Sequence, residues 1–361
     1  MTDLALSVLD LVPVRTDQTT TDAVRASLRL ARTADELGYR RYWVAEHHNM
    51  PAVAATNPPV LIGMIAAATE RIRVGSGGVM LPNHAPLVVA EQFALLEAAH
   101  PGRIDLGIGR APGSDPVTNY VLRAAAGRGD ADIERFPDYV SDVIALMDTE
   151  GVELDLQGRR YPLRATPRAQ GVARVWLLGS SLYSAELAAA KGLPYVFAHH
   201  FSGEGTEEAL RVYRSRFRPT DLLHEPLTFL TVNAAVAESA EEARRLTVPQ
   251  QLAMVALRTG GQLTPGPLVE DAEQVELPAP HRELAEQMSS RWVVGDPAAA
   301  ATRIRELAER FRVDEVMVNP IAGAFRGTAA DSAPAREETL RLLAKELVGA
   351  AHLTPDTNLV R

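Results

Sequence analysis

The sequence contains no cysteine among its 361 residues. Disulfides, thiolate nucleophiles and metal sites with cysteine ligands are therefore excluded. Lysine is almost as rare, because only Lys191 and Lys345 occur and both lie in predicted helices, so Schiff-base chemistry has almost no candidate. No apolar run approaches the ~18 residues of a membrane-spanning helix.

The charge balance narrows the choice of partners. Lys and Arg number 37 and Asp and Glu 46, which gives a formal net charge of −9, and no basic block occurs. Nucleic acids and anionic membranes attract basic surfaces, so neither is an expected partner. The N-terminal segment carries Asp3 and Asp10 and no basic stretch before its short apolar run, so no targeting signal is predicted. We expect a soluble, cytoplasmic protein.

The chain is dominated by an alternation of short apolar runs and longer amphipathic segments. Eight runs are predicted as strands, at 4–11, 41–46, 71–81, 103–109, 174–179, 195–199, 227–237 and 314–318. About eight helices are predicted between and after them, the first ended by Gly38. This alternation indicates a parallel sheet, and eight repeats predict a closed (β/α)8 TIM barrel, one α/β domain over 1–361. An open doubly wound sheet is the alternative.

Three segments interrupt the alternation. Residues 111–135 and 255–292 are predicted as loop insertions after the fourth and seventh strands, because Pro and Gly cluster there. Residues 152–163 alternate around Gln157–Gly158 in the manner of a β-hairpin. We expect the two insertions to determine the substrate, since barrel active sites are built from the loops that follow the strands.

Polar and titratable residues occur at the carboxyl ends of seven predicted strands. In a barrel these ends meet on one face, where catalytic groups cluster, so an active site is predicted there. The residues are Asp10, Glu46, His47, His48, Gly77, Gly78, Gly109, Arg110, Gly179, Ser180, Ser181, His199, His200 and Asn319.

The strongest local pattern is one for binding an anion. Ser180, Ser181 and Ser184 surround the start of the helix after the fifth strand, where free N–H groups and the helix dipole favour a phosphate. Arg110 follows the neighbouring strand and could grip the same phosphate with two hydrogen bonds. A plain serine N-cap and a surface ion pair are the alternatives.

Two glycine motifs are interpreted differently. GIGRAPG at 107–113 is no dinucleotide fingerprint, because Pro112 and the polar residues after it deny the required helix. GSGG at 75–78 is either a bulge or a stretch of backbone that approaches a flat ligand, with an unusual peptide geometry.

His47 and His48 raise the question of a metal. Neighbouring side chains on a regular strand point to opposite faces, so both cannot bind one ion, and no metal site is predicted. A single inward histidine fits general acid–base catalysis better.

Together these segments resemble the bacterial luciferase-like flavin monooxygenase family, especially its natural-product tailoring members. The matching stretches are WVAEHH (43–48), NPPVLIGMIAAATERIRVGSGGVMLP (57–82), HAPLVVAEQFALLEAAHPGRIDLGIGRAPG (84–113) and LLGSSLYSAELAAAKGLP (177–194), with VVGDPAAAATRIRELAERFRVDEVMV (293–318) as a weaker match.

The resemblance implies a TIM barrel that binds reduced FMN and uses O2. Such an enzyme would oxygenate a small organic substrate, such as an aromatic or polyketide-type metabolite, through a C4a-peroxyflavin. The flavin phosphate would be held by Arg110, Ser180, Ser181 and Ser184, although the luciferase has an acidic residue where Ser180 occurs. A non-prolyl cis peptide under the flavin ring would correspond to Gly77–Gly78.

The resemblance also assigns the catalytic groups. His47 corresponds to the catalytic histidine, and Glu46 would orient or tune it. The cysteine that the luciferase carries near the flavin is replaced by Gly109 here. We expect Asp10, His199, His200 and Asn319 to face the substrate or the ring edge.

The expected partners follow from the same comparison. No NAD(P)H fingerprint is present, so a separate NAD(P)H:flavin reductase is expected to supply reduced flavin, and homodimers are common in the family. Three alternatives remain at this stage: an F420-dependent hydride-transfer enzyme of the same superfamily, a non-catalytic flavin-binding protein, and an unrelated barrel such as a metal-dependent hydrolase.

Overall fold

The structure is a computed structural model that describes residues 4–111, 114–124, 131–148 and 150–348. Pro112 and Gly113 of the GIGRAPG motif, part of the predicted insertion at 111–135 and the last residue of the predicted closing helix therefore lie outside the described residues. None of the described helices is long and apolar enough to cross a bilayer.

The described residues form twelve strands. They are β1 (Ala5–Asp10), β2 (Arg41–Val44), β3 (Arg73–Ser76), β4 (Val79–Met80), β5 (Ile104–Gly109), β6 (Val152–Leu156), β7 (Arg159–Leu163), β8 (Arg174–Gly179), β9 (Tyr195–Phe197), β10 (Thr228–Val236), β11 (Val293–Gly295) and β12 (Glu315–Pro320). Strands β1, β2, β3, β5, β8, β9, β10 and β12 pair in that order, all parallel, and β12 pairs back to β1. The predicted eight-stranded barrel is confirmed, and the open sheet is excluded.

Helices follow the barrel strands along the chain. They are α1 (Thr20–Glu36), α2 (Pro58–Ala68), α3 (Pro86–Ala99), α4 (Pro116–Ala124), α5 (Ala131–Glu134), α6 (Phe136–Met147), α7 (Leu182–Lys191), α8 (Thr206–Arg216), α9 (Ala240–Arg258), α10 (Val269–Ala272), α11 (Ala279–Ser289), α12 (Pro297–Phe311) and α13 (Pro334–Leu347), with a short 3-10 helix at Leu81–Asn83. Helix α1 shows why these boundaries form. Thr19 and Asp22 make a capping box at its start, and Gly38 follows its end with φ 78°, as predicted.

Aromatic rings fill the middle of the barrel. Trp43 and Trp176 pack edge to face with ring centroids 5.6 Å apart, and Phe229 lies 5.2 Å and 5.1 Å from them. All three side chains are buried, so the middle of the barrel is packed with side chains.

A buried charge network, here called the lower rim, closes the opposite end. Arg41 at the start of β2 donates to Glu315 at the start of β12 (Nε–Oε1 2.6 Å) and to Asp105 on β5 (Nη1–Oδ2 2.8 Å). Arg73 at the start of β3 also donates to Asp105 (Nη2–Oδ1 2.8 Å). These charge pairs link neighbouring strands at the end of the barrel where the strands start. This end is remote from the face on which barrel active sites lie, so we assign the pairs a role in stability.

The insertions differ from the prediction. The described part of 111–135 contains α4 and α5, and 255–292 contains α10 and α11. Prolines begin helices here: Pro116 starts α4, where Asp115 accepts hydrogen bonds from the N–H groups of Val117 and Thr118. The insertions lie after the fourth and seventh barrel strands as predicted, but they also contain helices, because proline occurs both where a helix is broken and where one starts.

Two local predictions hold. The strand predicted at 71–81 is interrupted at Gly77–Gly78, between β3 and β4. Strands β6 and β7 form the antiparallel hairpin, and Gln157 (φ 55°) and Gly158 (φ 77°) both have the positive φ of a type I′ turn.

Candidate active site

A cavity of about 680 Å³ opens at the carboxyl ends of the barrel strands. This volume lies within the ~300–1,000 Å³ typical of small-molecule sites. Most of the strand-end residues singled out from the sequence line it, namely Glu46, His47, Gly77, Gly78, Gly109, Arg110, Gly179, Ser180, Ser181, Ser184, His200 and Asn319. The rule that barrel strand ends converge therefore predicted correctly that these residues surround one cavity.

One side of the cavity is suited to an anion. Helix α7 begins after Ser181, whose side chain makes no capping hydrogen bond, so the first-turn N–H groups are available to a ligand. Arg110 stacks on the ring of Tyr183 with 4.1 Å from the guanidinium carbon to the ring centroid, and both residues line the cavity. The stacking orients the guanidinium group beside the helix start.

Ser184 was expected to bind the phosphate, but its hydroxyl makes hydrogen bonds within the protein. Its hydroxyl donates to the carbonyl of Ser181 (2.8 Å) and pairs with the hydroxyl of Tyr195 (3.2 Å). A Cβ added at Gly179 would come against this side chain, which explains the glycine. The hydroxyl of Ser184 is thus used within the protein, and its backbone N–H in the first turn of α7 is what it can offer an anion.

A glycine-lined wall forms another side of the cavity. The Gly77–Gly78 peptide bond is cis, as the resemblance implied. A Cβ at Gly77 would lie 2.8 Å from Leu9 Cδ1, and one at Gly78 would lie 2.8 Å from the carbonyl oxygen of Gly107. At Gly109, by contrast, an added Cβ would meet no atom within 4 Å, so the cavity extends to the backbone there.

Glu46 was expected to orient or tune His47; its charge raises the pKa of His47, but its hydrogen bonds hold other residues. Its Oε1 accepts from Nε2 of His48 and Nε2 of His84, each at 2.7 Å, and its Oε2 accepts from the N–H of Met80 (2.9 Å). Burial alone would raise the pKa of Glu46, but the hydrogen bonds from His48 and His84 and the charge on His84 lower it to about 2. Glu46 therefore forms a hydrogen bond with His48, the residue that follows His47 in the sequence.

His47 is the exceptional polar group of the site. Its Nδ1 is buried and has no hydrogen-bond partner among the residues that the structure describes. Burial lowers the pKa of His47, and the neighbouring Glu46 only partly opposes this. A buried polar atom without a partner is rare in folded proteins and is typical of a position that a ligand completes.

A chain of hydrogen-bonded polar side chains, from Asn319 to Thr231, also lines the cavity. Asn319 Nδ2 donates to Asn233 Oδ1, and Asn233 Nδ2 donates to the carbonyl of His200, both at 2.8 Å. His200 Nδ1 lies 2.9 Å from Oγ1 of Thr231, which donates to the carbonyl of Phe197 (3.2 Å). When the hydroxyl proton of Thr231 goes to this carbonyl, Nδ1 of His200 donates to Thr231 and Nε2 carries no proton. Burial, together with the charges of His199 and His47, lowers the pKa of His200 to about 4.

Two of the predicted substrate-facing residues lie elsewhere. Asp10 is fully buried below the cavity, where it accepts from Tyr42 (2.5 Å), Arg336 (2.7 Å), the N–H of Val12 (2.8 Å) and the hydroxyl of Ser27. Burial alone would raise the pKa of Asp10, but the charge of Arg336 and the hydrogen bonds from Ser27 and Tyr42 lower it. The expectation that Asp10 faces the substrate was wrong, because β1 ends inside this network.

His199 lines a smaller neighbouring cavity of about 170 Å³ instead of the large one. Its Nδ1 lies 2.8 Å from Oγ1 of Thr206, at the start of α8. Burial, followed by the charges of Arg291, Arg310 and Arg303, lowers the pKa of His199 to about 4. Both histidines line this smaller cavity, and of the two His200 also lines the candidate site.

The sequence analysis missed three contributors. His84 follows the 3-10 helix and not a strand, so the strand-end rule could not find it. Asn233 and Thr231 lie within β10, where polar side chains on an otherwise apolar strand were the available signal.

Comparison with known proteins agrees with this geometry. The sequence profile of the family described as luciferase-like monooxygenase matches residues 4–315. A protein of Escherichia coli (strain K12) named luciferase-like monooxygenase is 43% identical over 323 residues, which cover 88% of this chain and 92% of that protein. N-acetyl-S-alkylcysteine monooxygenase of Bacillus subtilis (strain 168) is 32% identical over 328 residues, which cover 89% and 94% of the two chains.

Solved structures share the fold. The crystal structure of apo-MsnO8 has a TM-score of 0.83 and 34% identity, with 98% of this chain and 99% of that chain covered. More distant folds include the oxygenating constituent of 3,6-diketocamphane monooxygenase of Pseudomonas putida in complex with FMN (TM-score 0.69, 17% identity, 95% and 97% covered). They also include an F420-dependent secondary alcohol dehydrogenase (TM-score 0.62, 15% identity, 94% and 99% covered). With the barrel, the cavity at its strand ends and a profile match over most of its length, the chain belongs to the luciferase-like monooxygenase family.

Proposed function

We propose that this protein is a monooxygenase that uses reduced FMN and O2 to oxygenate a small organic substrate. The observation that carries the proposal is the pairing, in one cavity, of an anion cradle at the start of α7 with the unpartnered Nδ1 of His47. A phosphorylated ring system that spans the cavity would use both. Family membership supports oxidoreductase chemistry, and the choice of FMN is our own inference.

The phosphate end of FMN fits the residues present. Ser180 and Ser181 line the cavity beside the open first turn of α7, and Arg110 is the cation next to them. A helix N-terminus with a guanidinium group binds a phosphate through several charge-assisted hydrogen bonds. The stacking of Arg110 on Tyr183 reduces the freedom that Arg110 would lose on binding.

The ring end fits as well. The backbone at Gly77–Gly78 has no side chain on the cavity wall, and the space above Gly109 is open, so a flat ring can approach the strand ends closely. Reduced FMN, when bound, supplies the two electrons with which one atom of O2 enters the substrate and the other leaves as water.

The protein's part is to position groups, exclude water and move a proton. His47 is the side chain that we assign to proton transfer, at Nδ1, because it is buried and without a partner among the described residues. Glu46 holds His48, His84 and the Met80 backbone in place, and its charge raises the pKa of His47.

The rest of the cavity points to a largely apolar substrate. Its walls beyond the polar chain of His200 and Asn319 include apolar side chains from α9, from the loop after it and from the loop after β12: Met254, Leu257, Leu263 and Ile321. We infer that Nε2 of His200 carries no proton and accepts a hydrogen bond from the substrate or the ring edge.

The proposal implies two partners. A separate NAD(P)H:flavin reductase would supply reduced FMN, because the described helices that follow barrel strands include none opened by a dinucleotide fingerprint. A second copy of the chain would cover α2 and α3, whose outer faces expose Val60, Met64, Val88 and Leu95.

The test is an anaerobic titration of the protein with reduced FMN and, separately, with reduced F420. We expect reduced FMN to bind in the micromolar range or tighter and F420 to bind weakly. The FMN-loaded protein is then mixed with isotopically labelled O2 and a panel of apolar substrates that begins with N-acetyl-S-alkylcysteine thioethers. One labelled oxygen atom per product molecule would support the proposal.

Two outcomes would contradict it. Preferential binding of F420 with hydride transfer and no uptake of O2 would place the protein among the F420-dependent enzymes. Tight binding of reduced FMN with no labelled oxygen in any product, and the same rate of flavin oxidation as in free solution, would favour a non-catalytic flavin-binding protein.

A further inference from the structure

Three side chains with metal-ligating atoms meet beside the large cavity. Glu46 and His48 come from the segment after β2, and His84 follows the 3-10 helix at Leu81–Asn83. Nε2 of each histidine lies 2.7 Å from the same oxygen, Oε1 of Glu46, and the three ligand atoms lie within 4.8 Å of one another. The sequence argument against a metal considered His47 and His48 alone and could not include His84.

The carboxylate is fixed in a way that leaves Oε1 for the two rings. The side chain of Glu46 is fully buried, and its other oxygen, Oε2, accepts from the N–H of Met80 (2.9 Å). The hydroxyl of Ser114 donates to the carbonyl of His48 (2.8 Å), which ties the histidine segment to the insertion after β5. Outer contacts of this kind hold metal ligands in position in proteins.

The two imidazoles provide the route for an ion. Their side chains are 18% exposed for His48 and 32% exposed for His84, whereas the side chain of Glu46 is fully buried. An ion entering from solvent on this side would meet the rings before the carboxylate. The fixed carboxylate and the accessible rings bring three ligand atoms within reach of one ion.

The ligand set is selective. Two imidazole nitrogens and one carboxylate oxygen are ligands that Zn²⁺ and neighbouring divalent transition ions prefer, while Mg²⁺ and Ca²⁺ favour oxygen ligands. At metal–ligand distances of about 2.0–2.1 Å, the N–O separations would widen from 2.7 Å to about 3.3 Å in a tetrahedral site. Rotation of the two partly exposed rings can supply this change, and the ring protons would then reside on Nδ1.

We propose that Glu46, His48 and His84 form a binding site for a divalent transition-metal ion, with Zn²⁺ as the reference ion. Glu46 Oε1 and Nε2 of each histidine are the ligands, and water completes the coordination. The site is separate from the anion cradle of α7 and does not depend on the flavin. Because the hydrogen-bonded trio satisfies itself without the ion, the protein folds in either state.

The experiment uses the full-length, untagged protein after treatment with a chelator. Co²⁺ is titrated while visible absorption is recorded, and Zn²⁺ is titrated by calorimetry. We expect one ion per chain, ligand-field absorption of Co²⁺ that Zn²⁺ abolishes, and a Zn²⁺ dissociation constant at or below about 10 µM.

Matched variants make the result decisive. His48→Gln and His84→Gln keep an N–H donor for Glu46 but remove the imidazole ligand, and each should weaken Zn²⁺ binding at least about 100-fold. His224→Gln removes an exposed histidine far from the site and should bind Zn²⁺ as the wild type does. Circular dichroism of each variant checks folding. Absent Co²⁺ absorption in the wild type, or unchanged Zn²⁺ affinity in both folded site variants, would overturn the proposal.

Discussion

At the scale of single residues, the site depends on one unsatisfied atom. Nδ1 of His47 is buried, lines the cavity and has no partner among the described residues, whereas nearby His48 and His84 both bond to Glu46. A buried nitrogen without a partner is unfavourable in the free protein by about 1–3 kcal/mol. That unfavourable contribution disappears when a ligand supplies the partner, so His47 is the residue whose role depends most directly on what binds.

His47→Gln should separate proton transfer from binding. We expect the affinity for reduced FMN to stay within about twofold, because the glutamine amide can still partner the ligand. Product formation per bound flavin should fall about 10²–10⁴-fold, because glutamine cannot transfer the proton. Affinity is measured by anaerobic titration and turnover by product analysis. His281→Gln, half-buried in the first turn of α11, is the control and should leave both unchanged. Lost flavin binding with normal turnover per bound flavin would show that His47 binds and does not catalyse.

A variant of Arg110 separates binding of the FMN phosphate from binding of the flavin ring. Arg110→Ala should raise the dissociation constant of reduced FMN about 10–100-fold, the range for a hydrogen bond to a charged group. Reduced riboflavin, which lacks the phosphate, should bind the variant and the wild type equally. Anaerobic fluorescence titration measures both ligands, and Arg159→Ala on the exposed hairpin is the control. An equal loss of affinity for riboflavin would mean that Arg110 contacts the ring or shapes the cavity.

The residue-level predictions succeeded where topology alone decides position. Strand ends of a parallel barrel converge, so Arg110, Ser181, His200 and Asn319 could be brought together without knowing any contact. Partners within the site could not be predicted in this way. Whether a carboxylate bonds to the next histidine or to one 38 positions away, as Glu46 does with His84, depends on how a loop packs.

At the scale of elements, residues at the starts of the barrel strands stabilise the fold, and residues at the ends of the strands line the cavity. The lower rim of Arg41, Asp105, Glu315 and Arg73 links β2, β3, β5 and β12 through buried charges. Burial alone would raise the pKa of Asp105, but the charges of Arg73 and Arg41 and the hydrogen bonds from Arg73 and Trp43 lower it to about 2. The network therefore holds neighbouring strands in register at the end of the barrel that no ligand reaches.

Asp105→Asn should destabilise the barrel without touching the cavity. Removing one member of a buried charge network costs about 3–5 kcal/mol of unfolding free energy, because Arg41 and Arg73 keep charges that are no longer balanced. Urea titrations at neutral pH measure this loss. Asp221→Asn, exposed in the loop after α8, is the control. A loss below 1 kcal/mol would mean that the arginines find other partners.

The carboxyl group of Asp105 also predicts how the free energy of unfolding changes with pH. Its pKa is about 2 in the folded protein against 3.8 for the ordinary group, so its contribution is present above pH ~4 and lost as the pH falls toward 2. The shift corresponds to about 2 kcal/mol. The difference in unfolding free energy between wild type and Asp105→Asn should therefore narrow as the urea titrations move from pH 7 to pH 3. A constant difference would contradict the assignment.

Element boundaries were harder to predict than the elements of the barrel. Regular alternation located all eight barrel strands, because a strand buried on both faces needs a continuous apolar run. The helices within the insertions were not predicted, because proline occurs both where a helix is broken and where one begins. Pro116 and Pro280 lie in the first turns of α4 and α11, where proline is favoured. Composition cannot tell a loop from a helix start without the packing surface on which the helix rests.

At the scale of the whole molecule, the outer faces of α2 and α3 carry apolar side chains that are exposed in the described part of the chain. On α2, Val60 and Met64 are 54% and 47% exposed, and on the neighbouring α3, Val88 and Leu95 are 47% and 57% exposed. The residues are spaced four and seven positions apart, so each pair lies on one face of its helix. Adjacent helices that both expose apolar faces are what a second copy could bury in a helical interface.

We therefore expect a dimer through α2 and α3, with twice the chain's mass of 39.0 kDa in light scattering coupled to size-exclusion chromatography. Met64→Asp combined with Leu95→Arg places charges of opposite sign on the exposed face and should yield a folded monomer, since neither side chain belongs to the barrel core. Leu222→Asp, at an apolar residue that is 81% exposed in the loop after α8, tests whether any exposed leucine has the same effect and should leave the dimer intact. A monomeric wild type, or a dimer that survives the double substitution, would show that this surface has another use. Because the cavity is formed within one chain, the monomer should still bind reduced FMN with the wild-type affinity.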